Sequence, residues 1–544
     1  MSRSHRFIAL LLLFALTPAP GQSPGAARQA RKSAATPARP REDVERFRAR
    51  VEKILAGERP AAERESSTPG GERRVFAASP AAGHWGVLVV DAATGETLYS
   101  LNADSYFTPA SNTKLFTTAL ALARLGPEHR FRTTLESRAR PDGHGRLLGD
   151  LVLVGRGDPN LSNRRFPYEK EEEREGSAER VLAQLADALA QQGVKQIEGN
   201  IVADDSFFSA ERYPSGWAVD DMTEGYGAPV SALSVNDNTL QIEVRPGAGE
   251  GERAWFSVEP WAEFYTIVNE TQTAPAGGQR RVWAEREPGS RTVFLRGSIP
   301  VAGERVRINL AVEEPAEHAA ALLRRLLDAR GVRIYGRSLA DHNPLRAMES
   351  RNVLAEHLSG PLKDAVRLIN KVSQNLHTEM LLRAVGVQTA GGGDLETSLR
   401  VARQFQEAIG IAPGDTLLFD GSGLSRRNLI TPRAAVTLLR WAAQQPWAEV
   451  YRDSLPVAAQ DGTLAERMRD SAAAGRVQAK TGTLGNVNAL SGFAETKQGA
   501  LLVFSLFANS HNLRRGARIL DEICIALVEE LGPAPPARPA TPRR

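Results

Sequence analysis

Two stretches of this chain each carry the pattern of half an α/β domain, and a strand-rich block of about 220 residues separates them. The first half predicts two strands, Trp85 to Val90 and Thr97 to Leu101, and then a helix after Thr108-Pro109. The second half predicts three helices, over residues 366–386, 394–409 and 431–445, and then three strands, over 477–480, 489–495 and 500–509. A last helix is predicted over 514–531. A chain of 544 residues is too long for one ordinary core. We therefore expect an α/β sandwich of the α+β type, interrupted by an insertion.

The block between the two halves mixes strands with two helices. Strands are predicted over residues 147–154, 197–204, 239–244, 292–295 and 306–312, and helices over 178–191 and 315–330. Each helix ends in a similar glycine-to-strand passage, Gly193-Val-Lys-Gln-Ile-Glu-Gly199 and Gly331-Val-Arg-Ile-Tyr-Gly336. Two interpretations stay open: common ancestry of two units, or two helix ends that use the same capping chemistry.

The first 22 residues are predicted to be a secretory signal peptide. Arg3 and Arg6 precede an apolar run from Phe7 to Leu16, which is too short to span a membrane and is followed by small and proline residues. An uncleaved anchor is the alternative. Residues 23–80 are predicted to be a flexible leader with a short helix over 42–56, and residues 532–544 a disordered basic tail. We therefore expect an exported, periplasmic protein.

The basic charge of the chain belongs to its ends. Residues 1–80 carry 15 Lys and Arg against 8 Asp and Glu, and residues 533–544 carry three Arg and no acid, so the net charge of +4 leaves −6 for the rest. Basic ends can contact an anionic surface such as a membrane or a cell-wall polymer. A nucleic-acid partner is not expected, because aromatic residues are not interleaved with the charge. The only cysteine, Cys524, is predicted to be a small buried hydrophobe of the last helix.

The first of three short motifs is Ser111-Asn-Thr-Lys114. Positions three apart lie on one face of a helix, so the lysine can reach the serine hydroxyl. A serine hydroxyl becomes a good nucleophile when a base takes its proton. A lysine can be that base if burial or a second cation lowers its pKa, and Lys480 is the expected second cation.

The second motif is Ser373-Gln-Asn375, predicted at the edge of a helix. Its hydroxyl can pass a proton to a leaving amine, and its amide can hold a substrate carbonyl. The third motif runs from Lys480 through Thr481 and Gly482 to Thr483, at the end of a predicted edge strand, where Gly482 allows a substrate backbone to approach.

Within this third motif, Lys480 and the hydroxyls of Thr481 and Thr483 form an expected carboxylate site. The backbone N–H groups of Ser111 and Thr483 form an expected oxyanion hole. Taken singly, each motif also fits a simpler role, as a helix N-cap, a polar helix cap or a turn. Together they occur in the order that penicillin-recognising serine enzymes require.

These motifs make the chain similar to a known family. Over roughly residues 80–531 it resembles the D-alanyl-D-alanine carboxypeptidase/endopeptidases of the low-molecular-mass class C penicillin-binding proteins. The 262 positions between Ser111 and Ser373 match the inserted domains of that family. Further segments look like those of the family, among them Gly155-Arg-Gly-Asp-Pro159, Val235-Asn-Asp-Asn238 and Asp420-Gly-Ser-Gly-Leu-Ser-Arg426. The resemblance implies the serine β-lactamase/DD-peptidase fold, an α/β/α sandwich with an antiparallel sheet.

The resemblance also implies roles for the motif residues. Ser111 is acylated, Lys114 is the general base, Ser373 relays the proton and Asn375 orients Lys114 and the acyl amide. Lys480, Thr481 and Thr483 hold the terminal carboxylate of the substrate. Asp221, Tyr226 and Arg426 match the pocket for the amino and carboxyl groups of a diaminopimelate side chain; the alternative for them is a surface ion pair. Gly485 departs from relatives that carry glutamine there, so side-chain selectivity is expected to differ.

The expected activity is a serine-type D-Ala-D-Ala carboxypeptidase that acts on peptidoglycan stem peptides and is acylated by β-lactams. No metal or cofactor is expected, since the nine His residues show no paired spacing. The peptidase domain is predicted over 81–130 and 355–531, a β-rich inserted domain over 131–155 and 235–354, and a second inserted domain over 156–234. Alternatives are a β-lactamase or esterase on the same scaffold, and a non-catalytic wall-binding protein. Endopeptidase preference and oligomeric state stay open.

Overall fold

The computed structural model describes residues 41–57, 83–169, 172–174, 176–261, 263–344, 350–511 and 516–533. The predicted signal peptide, most of the predicted leader and the tail beyond residue 533 lie outside these residues. From Glu42 onward the described residues belong to one compact unit. None of the described helices is both long and apolar enough to cross a membrane.

The described residues contain ten α-helices. They are α1 (Glu42–Ala56), α2 (Thr113–Leu125), α3 (Arg180–Gln191), α4 (Pro315–Asp328), α5 (Leu362–Val372), α6 (Asn375–Ala390), α7 (Leu395–Ala408), α8 (Pro432–Ala442), α9 (Ala448–Asp453) and α10 (Gly516–Glu530).

The strands at the two ends of the chain form the central sheet. They are β1 (His84–Asp91), β2 (Thr97–Leu101), β22 (Val477–Leu484), β23 (Val487–Glu495) and β24 (Leu501–Asn509). The sheet is antiparallel in the order β2-β1-β24-β23-β22, so the first and last strands of the chain pair directly through β1 and β24. Strand β22 lies at an edge, as the sequence predicts.

Helices cover both faces of the central sheet. On one face, buried side chains of α2, α5, α6, α7 and α8 form a core with Phe493, Val503 and Phe507 of the sheet. On the other face, Phe47 and Val51 of α1 and the apolar side of α10 pack on Leu490 and Phe504. Cys524 is fully buried there, as predicted. The α/β/α sandwich with an antiparallel sheet is confirmed.

The remaining strands form the insertion. They are β3 (Arg132–Ser137), β4 (Arg146–Leu147), β5 (Leu151–Val154), β6 (Arg164–Glu169), β7 (Glu172–Arg174), β8 (Gln196–Ile197), β9 (Ile201–Asp204), β10 (Thr239–Arg245), β11 (Trp255–Glu259), β12 (Thr266–Asn269), β13 (Gln272–Ala274), β14 (Arg281–Glu285), β15 (Thr292–Pro300), β16 (Val306–Ala311), β17 (Arg333–Ile334), β18 (Ser338–Asp341) and β19 (Asn352–Leu358), with β20 (Thr416–Leu417) and β21 (Leu429–Ile430) among the later helices.

One five-stranded sheet of the insertion has the order β18-β9-β5-β3-β19. Strand β9 belongs to the segment 156–234, yet it pairs with β5 and β18 on either side. Strands from both of the expected inserted domains, 131–155 with 235–354 and 156–234, therefore belong to this one sheet. Strand β19 also continues the insertion to Leu358, beyond the expected limit at residue 354. Strand pairing across distant segments, which local patterns do not report, decides both limits.

The two similar helix-to-strand passages lie side by side. Strand β8 after α3 pairs in parallel with β17 after α4, and β9 pairs in parallel with β18. Helices α3 and α4 also pack against each other. The structure thus arranges the two units alike, and their common ancestry remains a prediction.

The helix predicted over 366–386 is two helices. Ser373 adopts a left-handed conformation, with φ of 63°, and this ends α5. The side chain of Gln374 then accepts a hydrogen bond from the His377 N–H and begins α6. The sequence did not reveal the break, because apolar and buried positions continue on both sides of Ser373.

Candidate active site

Ser111 lies in a short 3-10 turn (Ala110–Asn112) that leads into α2. Lys114 occupies the first turn of α2, and its neighbours Leu115 and Phe116 are core residues. The apolar face that anchors α2 thus carries the lysine inward, and Lys114 is fully buried. Ser111 is only partly buried, so its hydroxyl stands between the buried amine and the cleft.

The Lys114 amine has three close partners. Its Nζ lies 2.9 Å from the Oγ of Ser111, 2.6 Å from the Oδ1 of Asn375 and 2.7 Å from the carbonyl oxygen of Ser422. An amide oxygen and a backbone carbonyl can only accept hydrogen bonds. A neutral amine has two N–H groups for these two acceptors and one lone pair, which is left for the hydroxyl proton of Ser111.

Burial lowers the pKa of Lys114 to about 7, while the carboxylates of Asp420 and Glu379 act in the opposite direction. The sequence offered burial or a second cation as the cause of this lowering, and burial is the main cause. Burial also holds the pKa of Lys480 well below its usual value, and there the charge of Lys114 adds to the effect. Two charged ammonium groups in this buried space would repel each other, so the neutral form of an amine is favoured.

The second and third motifs meet across the cleft. The Lys480 Nζ lies 3.0 Å from the Oγ of Ser373 and 2.9 Å from the carbonyl oxygen of Thr481. The Asn375 Nδ2 donates to the carbonyl oxygen of Tyr226 at 2.9 Å, which turns the amide oxygen toward Lys114. Hydrogen bonds therefore connect these residues in two sets, Ser111–Lys114–Asn375 and Ser373–Lys480, and the charge of Lys114 acts on Lys480 between them.

Gly482 is required by the protein itself. A Cβ at this position would lie 2.6 Å from the carbonyl oxygen of Pro109 and 3.2 Å from the Cβ of Ala110. The sequence predicted that Gly482 makes room for a substrate backbone. The structure gives a second reason for this glycine, since β22 is pressed against the turn that carries Ser111 and the missing side chain allows this approach. Room for a substrate backbone stays a prediction.

The first half of the outer edge of β22 is hydrogen-bonded to the loop that precedes the strand. Ala458 N donates to Val477 O and Ala479 N donates to Pro456 O, both at 2.9 Å. Peptide groups on one edge of a strand recur every second residue. Those of Thr481 and Thr483 therefore point to the same edge, beside Ser111.

Asp221, Tyr226 and Arg426 lie beside this group of side chains. The hydroxyl of Tyr226 donates to the Oδ1 of Asp221 at 2.9 Å, and burial together with this carboxylate raises the pKa of Tyr226 to about 12. Arg426 donates to the carbonyl oxygen of Gly485 at 3.3 Å. Within the described residues no ion pair joins Asp221 to Arg426, so each charge is left for another partner.

Several residues of the site were not predicted. The carbonyl oxygen of Ser422 contacts Lys114, and its loop is held by buried Glu379, whose Oε1 accepts from the N–H groups of Gly421 and Ser422 at 2.9 and 2.7 Å. A Cβ on Gly423 would lie 1.8 Å from the Ala110 carbonyl oxygen, so this loop sits directly against the turn that carries Ser111. The sequence analysis noted the segment 420–426 for its resemblance to the family. It could not predict this contact, because a backbone carbonyl oxygen is present at every residue whatever the side chain.

A second unpredicted group supports Ser373 and β22. Buried Lys371 forms an ion pair with Asp461, with Nζ–O distances of 2.5 and 2.7 Å. In the same loop, the Oγ1 of Thr463 lies 2.7 Å from the Oγ1 of Thr481. Among the residues described, no group of three or more His, Cys, Asp or Glu side chains is arranged to hold a metal ion.

Known proteins are similar to this chain in architecture and in sequence. The D-alanyl-D-alanine carboxypeptidase of Actinomadura sp. (strain R39) is 36% identical over 458 residues, which is 82% of this chain and 81% of that protein. The crystal structure of penicillin binding protein 4 (dacB) from Haemophilus influenzae has a TM-score of 0.70 at 25% identity and covers 81% of this chain and 95% of that chain. Its complex with a novel β-lactam has a TM-score of 0.67 at 24% identity, with 83% of this chain and 97% of that chain covered.

The family model described as D-Ala-D-Ala carboxypeptidase 3 (S13) matches residues 75–527. The match extends from just before β1 into α10 and includes the insertion together with both halves of the central sheet. The chain therefore belongs to the D-Ala-D-Ala carboxypeptidase 3 (S13) family.

Proposed function

We propose that the chain carries out its family's D-Ala-D-Ala carboxypeptidase reaction through an acyl-enzyme on Ser111. The observation that carries this proposal is the set of contacts around the Lys114 Nζ. Two of its three partners can only accept hydrogen bonds, so a neutral Lys114 has its lone pair left for the Ser111 hydroxyl.

In the first step, Ser111 Oγ attacks the carbonyl carbon of the penultimate D-Ala while Lys114 takes its proton. The N–H groups of Ser111 and Thr483 are the proposed donors to the oxyanion that develops, and Thr483 fits because its peptide group points to the cleft edge of β22. The peptide itself is proposed to lie along this edge and to continue the sheet, in the place that the loop 456–458 leaves open.

The leaving D-Ala amine needs a proton. We propose that it comes through Ser373, whose hydroxyl lies 3.0 Å from the Lys480 Nζ, and that Asn375 holds the acyl amide. Lys480, Thr481 and Thr483 are proposed to bind the terminal carboxylate. Water then attacks the acyl-enzyme carbonyl with Lys114 again as the base, which releases the shortened peptide and restores Ser111.

Peptidoglycan stem peptides and their crosslinks are the proposed substrates, so a crosslink amine can leave in place of D-Ala. Asp221 and Arg426 are the proposed partners of the ammonium and carboxylate of a diaminopimelate end. Within the described residues they form no ion pair with each other. β-Lactams are proposed to acylate Ser111, which is supported by the β-lactam complex of the similar Haemophilus influenzae protein.

Export to the periplasm by a signal peptide over residues 1–22 is also proposed, together with contact between the basic ends and an anionic membrane or wall surface. The support is the charged and apolar pattern of Arg3 to Leu16 and the excess of Lys and Arg before residue 80.

Labelling with a fluorescent penicillin tests the proposal. The wild-type chain is expected to form a stable covalent adduct, and Ser111→Ala is expected to form none. Ser257→Ala, at an exposed serine of β11, is the matched control and should label like the wild type. Labelling that survives Ser111→Ala would exclude Ser111 as the nucleophile. Rapid release of the label by the wild type would instead indicate a β-lactamase.

A further inference from the structure

A large cleft extends away from the catalytic group into the insertion. Its volume is about 1450 Å³, and its lining includes Ser373, Asn375 and Tyr226 at one end and two tryptophans of the insertion, Trp261 and Trp283. Sites for small molecules measure roughly 300–1,000 Å³. The cleft therefore has room for more of the polymer than the D-Ala-D-Ala end that reacts.

The cleft overlaps the site proposed for the stem peptide only at Ser373, Asn375 and Tyr226. No residue of β22 lines it, although the outward peptide groups of Thr481 and Thr483 lie on that strand. A peptide bound along β22 thus occupies one end of the cleft at most and leaves the part within the insertion open for another part of the same polymer. Two parts are attached to a stem peptide, namely the glycan chain and, in a crosslink, a second peptide.

The two tryptophans are unusually exposed for their size. Trp261 is 43% and Trp283 37% accessible to solvent. The indole N–H of Trp283 donates to Glu285 at 2.7 Å, and the Arg281 guanidinium lies 5.1 Å from its ring centre, so this ring is held in place on β14. Exposed aromatic rings that are fixed within a cleft are typical of ligand sites rather than of a bare protein surface.

A row of polar side chains lies across the floor of the same cleft. Glu259 of β11 is paired with Gln241 of β10, which is paired on its other side with Asn309 of β16. Directly paired residues point to the same face of a sheet, and all three are exposed and line the cleft. In the part of the chain that the structure describes, no hydrogen bond engages these three side chains.

The charges of the lining favour an uncharged ligand. Three arginines face four carboxylates, and two of the arginines, Arg164 and Arg325, form ion pairs with Asp237 and Glu179 of the same lining. A second stem peptide carries carboxylates and would gain little from this balance. A chain of N-acetylhexosamines has no charge, a C–H face that packs on an aromatic ring, and amide and hydroxyl groups that pair with Gln and Asn.

We propose that this cleft binds the glycan strand that carries the stem peptides, with Trp261 and Trp283 packing on sugar rings and Gln241 and Asn309 bonding to acetamido groups. This inference rests on the proposed peptidase function of Ser111 and adds a substrate subsite to it. The cleft then selects stems that are still attached to the polymer and brings them to the catalytic residues.

The test compares three substrates with and without sugar. They are glycan strands bearing uncrosslinked pentapeptide stems, the same pentapeptide without sugar, and a sugar-free crosslinked peptide dimer. The double variant W261A/W283A is expected to raise the KM for the glycan-borne stem about tenfold, since two aromatic contacts are lost, and to leave kcat unchanged. The KM for both sugar-free substrates and the rate of penicillin acylation should match the wild type. Calorimetric titration with uncharged oligomers of N-acetylglucosamine should show binding to the wild type and its loss in the double variant.

Trp255→Ala is the matched control, because Trp255 lies on β11, is 66% exposed and does not line the cleft. It should behave like the wild type with all three substrates. An unchanged KM for the glycan-borne stem, an equal rise for the free pentapeptide, or a rise for the sugar-free dimer would each overturn the inference, the last by indicating a second peptide. Failure of the peptidase proposal itself would be distinct, since penicillin labelling of Ser111 would then be absent from the wild type.

Discussion

At the scale of single residues, the chemistry depends on a lysine that loses its proton near neutral pH. Lys114 is fully buried, and its Nζ contacts two obligate acceptors and one hydroxyl. Asp420 and Glu379 favour the charged form, but burial outweighs them and lowers the pKa to about 7. The geometry and the protonation state both support the proposed role of Lys114 as a base for Ser111.

The pH dependence of acylation follows from this pKa. Below about pH 7 Lys114 carries a proton and has no lone pair for Ser111, and above it the amine is free. We expect the second-order rate constant of penicillin acylation to rise with pH through about 7 and then to level off. Stopped-flow measurements from about pH 5 to about pH 9 check this.

Lys114→Arg is the companion variant. A guanidinium stays protonated over this whole range, so the acylation rate should fall by about a thousandfold. A rate that is independent of pH in the wild type, or near-normal acylation by Lys114→Arg, would contradict the role of Lys114 as the base.

Asp221 offers a second prediction at this scale. Replacing it with Asn removes the charge proposed to bind a diaminopimelate ammonium but keeps an acceptor for Tyr226. We expect kcat/KM to fall about tenfold for a stem peptide with a free amino end, and to change little for one whose amine is acetylated. Equal losses for both peptides would show that the carboxylate acts elsewhere.

At the scale of elements, the site depends on how closely β22 approaches the turn before α2. Gly482→Ala is expected to push these two segments apart, because its Cβ would meet the Pro109 carbonyl oxygen at 2.6 Å. We expect a loss of about 2 kcal/mol in the free energy of unfolding and a strong loss of acylation.

Gly485→Ala is the matched control for this variant. Its Cβ would meet only the end of the Arg426 side chain, at 3.3 Å, and that flexible group can move. Stability and penicillin acylation should stay near wild type, as measured by denaturant titration and labelling. Equal effects of the two variants would show that the approach of β22 to Pro109 is not the cause.

The loop from Pro456 to Thr463 is the second element that positions β22. Its Asp461 pairs with Lys371, which is 2% exposed and lies two residues before Ser373. Asp461→Asn leaves this buried ammonium without its anion, so we expect a loss of about 3 kcal/mol in the free energy of unfolding and weaker acylation.

Asp104→Asn provides the comparison, because the ion pair of Asp104 with Arg433 is exposed and should contribute little. Thermal unfolding of both variants measures the difference. A similar small effect of Asp461→Asn would show that Lys371 does not depend on its partner.

At the scale of the whole molecule, distant parts of the chain complete one domain. Strands β1 and β24 pair although about 400 residues separate them, and α1 packs against α10 with Phe47 and Val51 fully buried. Arg50 of α1 also pairs with Glu529 and Glu530, at 2.7 and 3.0 Å. Helix α1 is thus part of the sandwich, although the sequence suggested only a short helix within a leader.

Removal of residues 1–57 should therefore destabilise the peptidase domain. The lost burial of Phe47 and Val51 predicts a decrease of about 3–6 kcal/mol in the free energy of unfolding, with labelling of Ser111 retained in the cold. Removal of residues 1–40 is the control and should leave the thermal midpoint unchanged. Equal midpoints for the two truncated chains would show that α1 adds nothing to the fold.

The sequence by itself determined the parts whose signal is local. Apolar periodicity predicted most strands and helices of the sandwich, and the motifs at Ser111, Ser373 and Lys480 identified the residues that the structure brings together. These predictions were possible because the spacing of apolar side chains within one helix or strand shows which of its faces is buried.

The tertiary structure decided everything that depends on partners far apart in the chain. It separated α5 from α6 at Ser373, joined β9 to the sheet of the insertion, and supplied the Ser422 carbonyl oxygen and Asp461 as supports of the site. It also made burial the main cause of the low pKa of Lys114. The desolvation of Lys114 and its contact with the Ser422 carbonyl oxygen arise only when distant segments pack together. A local pattern of residues therefore cannot predict how strong they are.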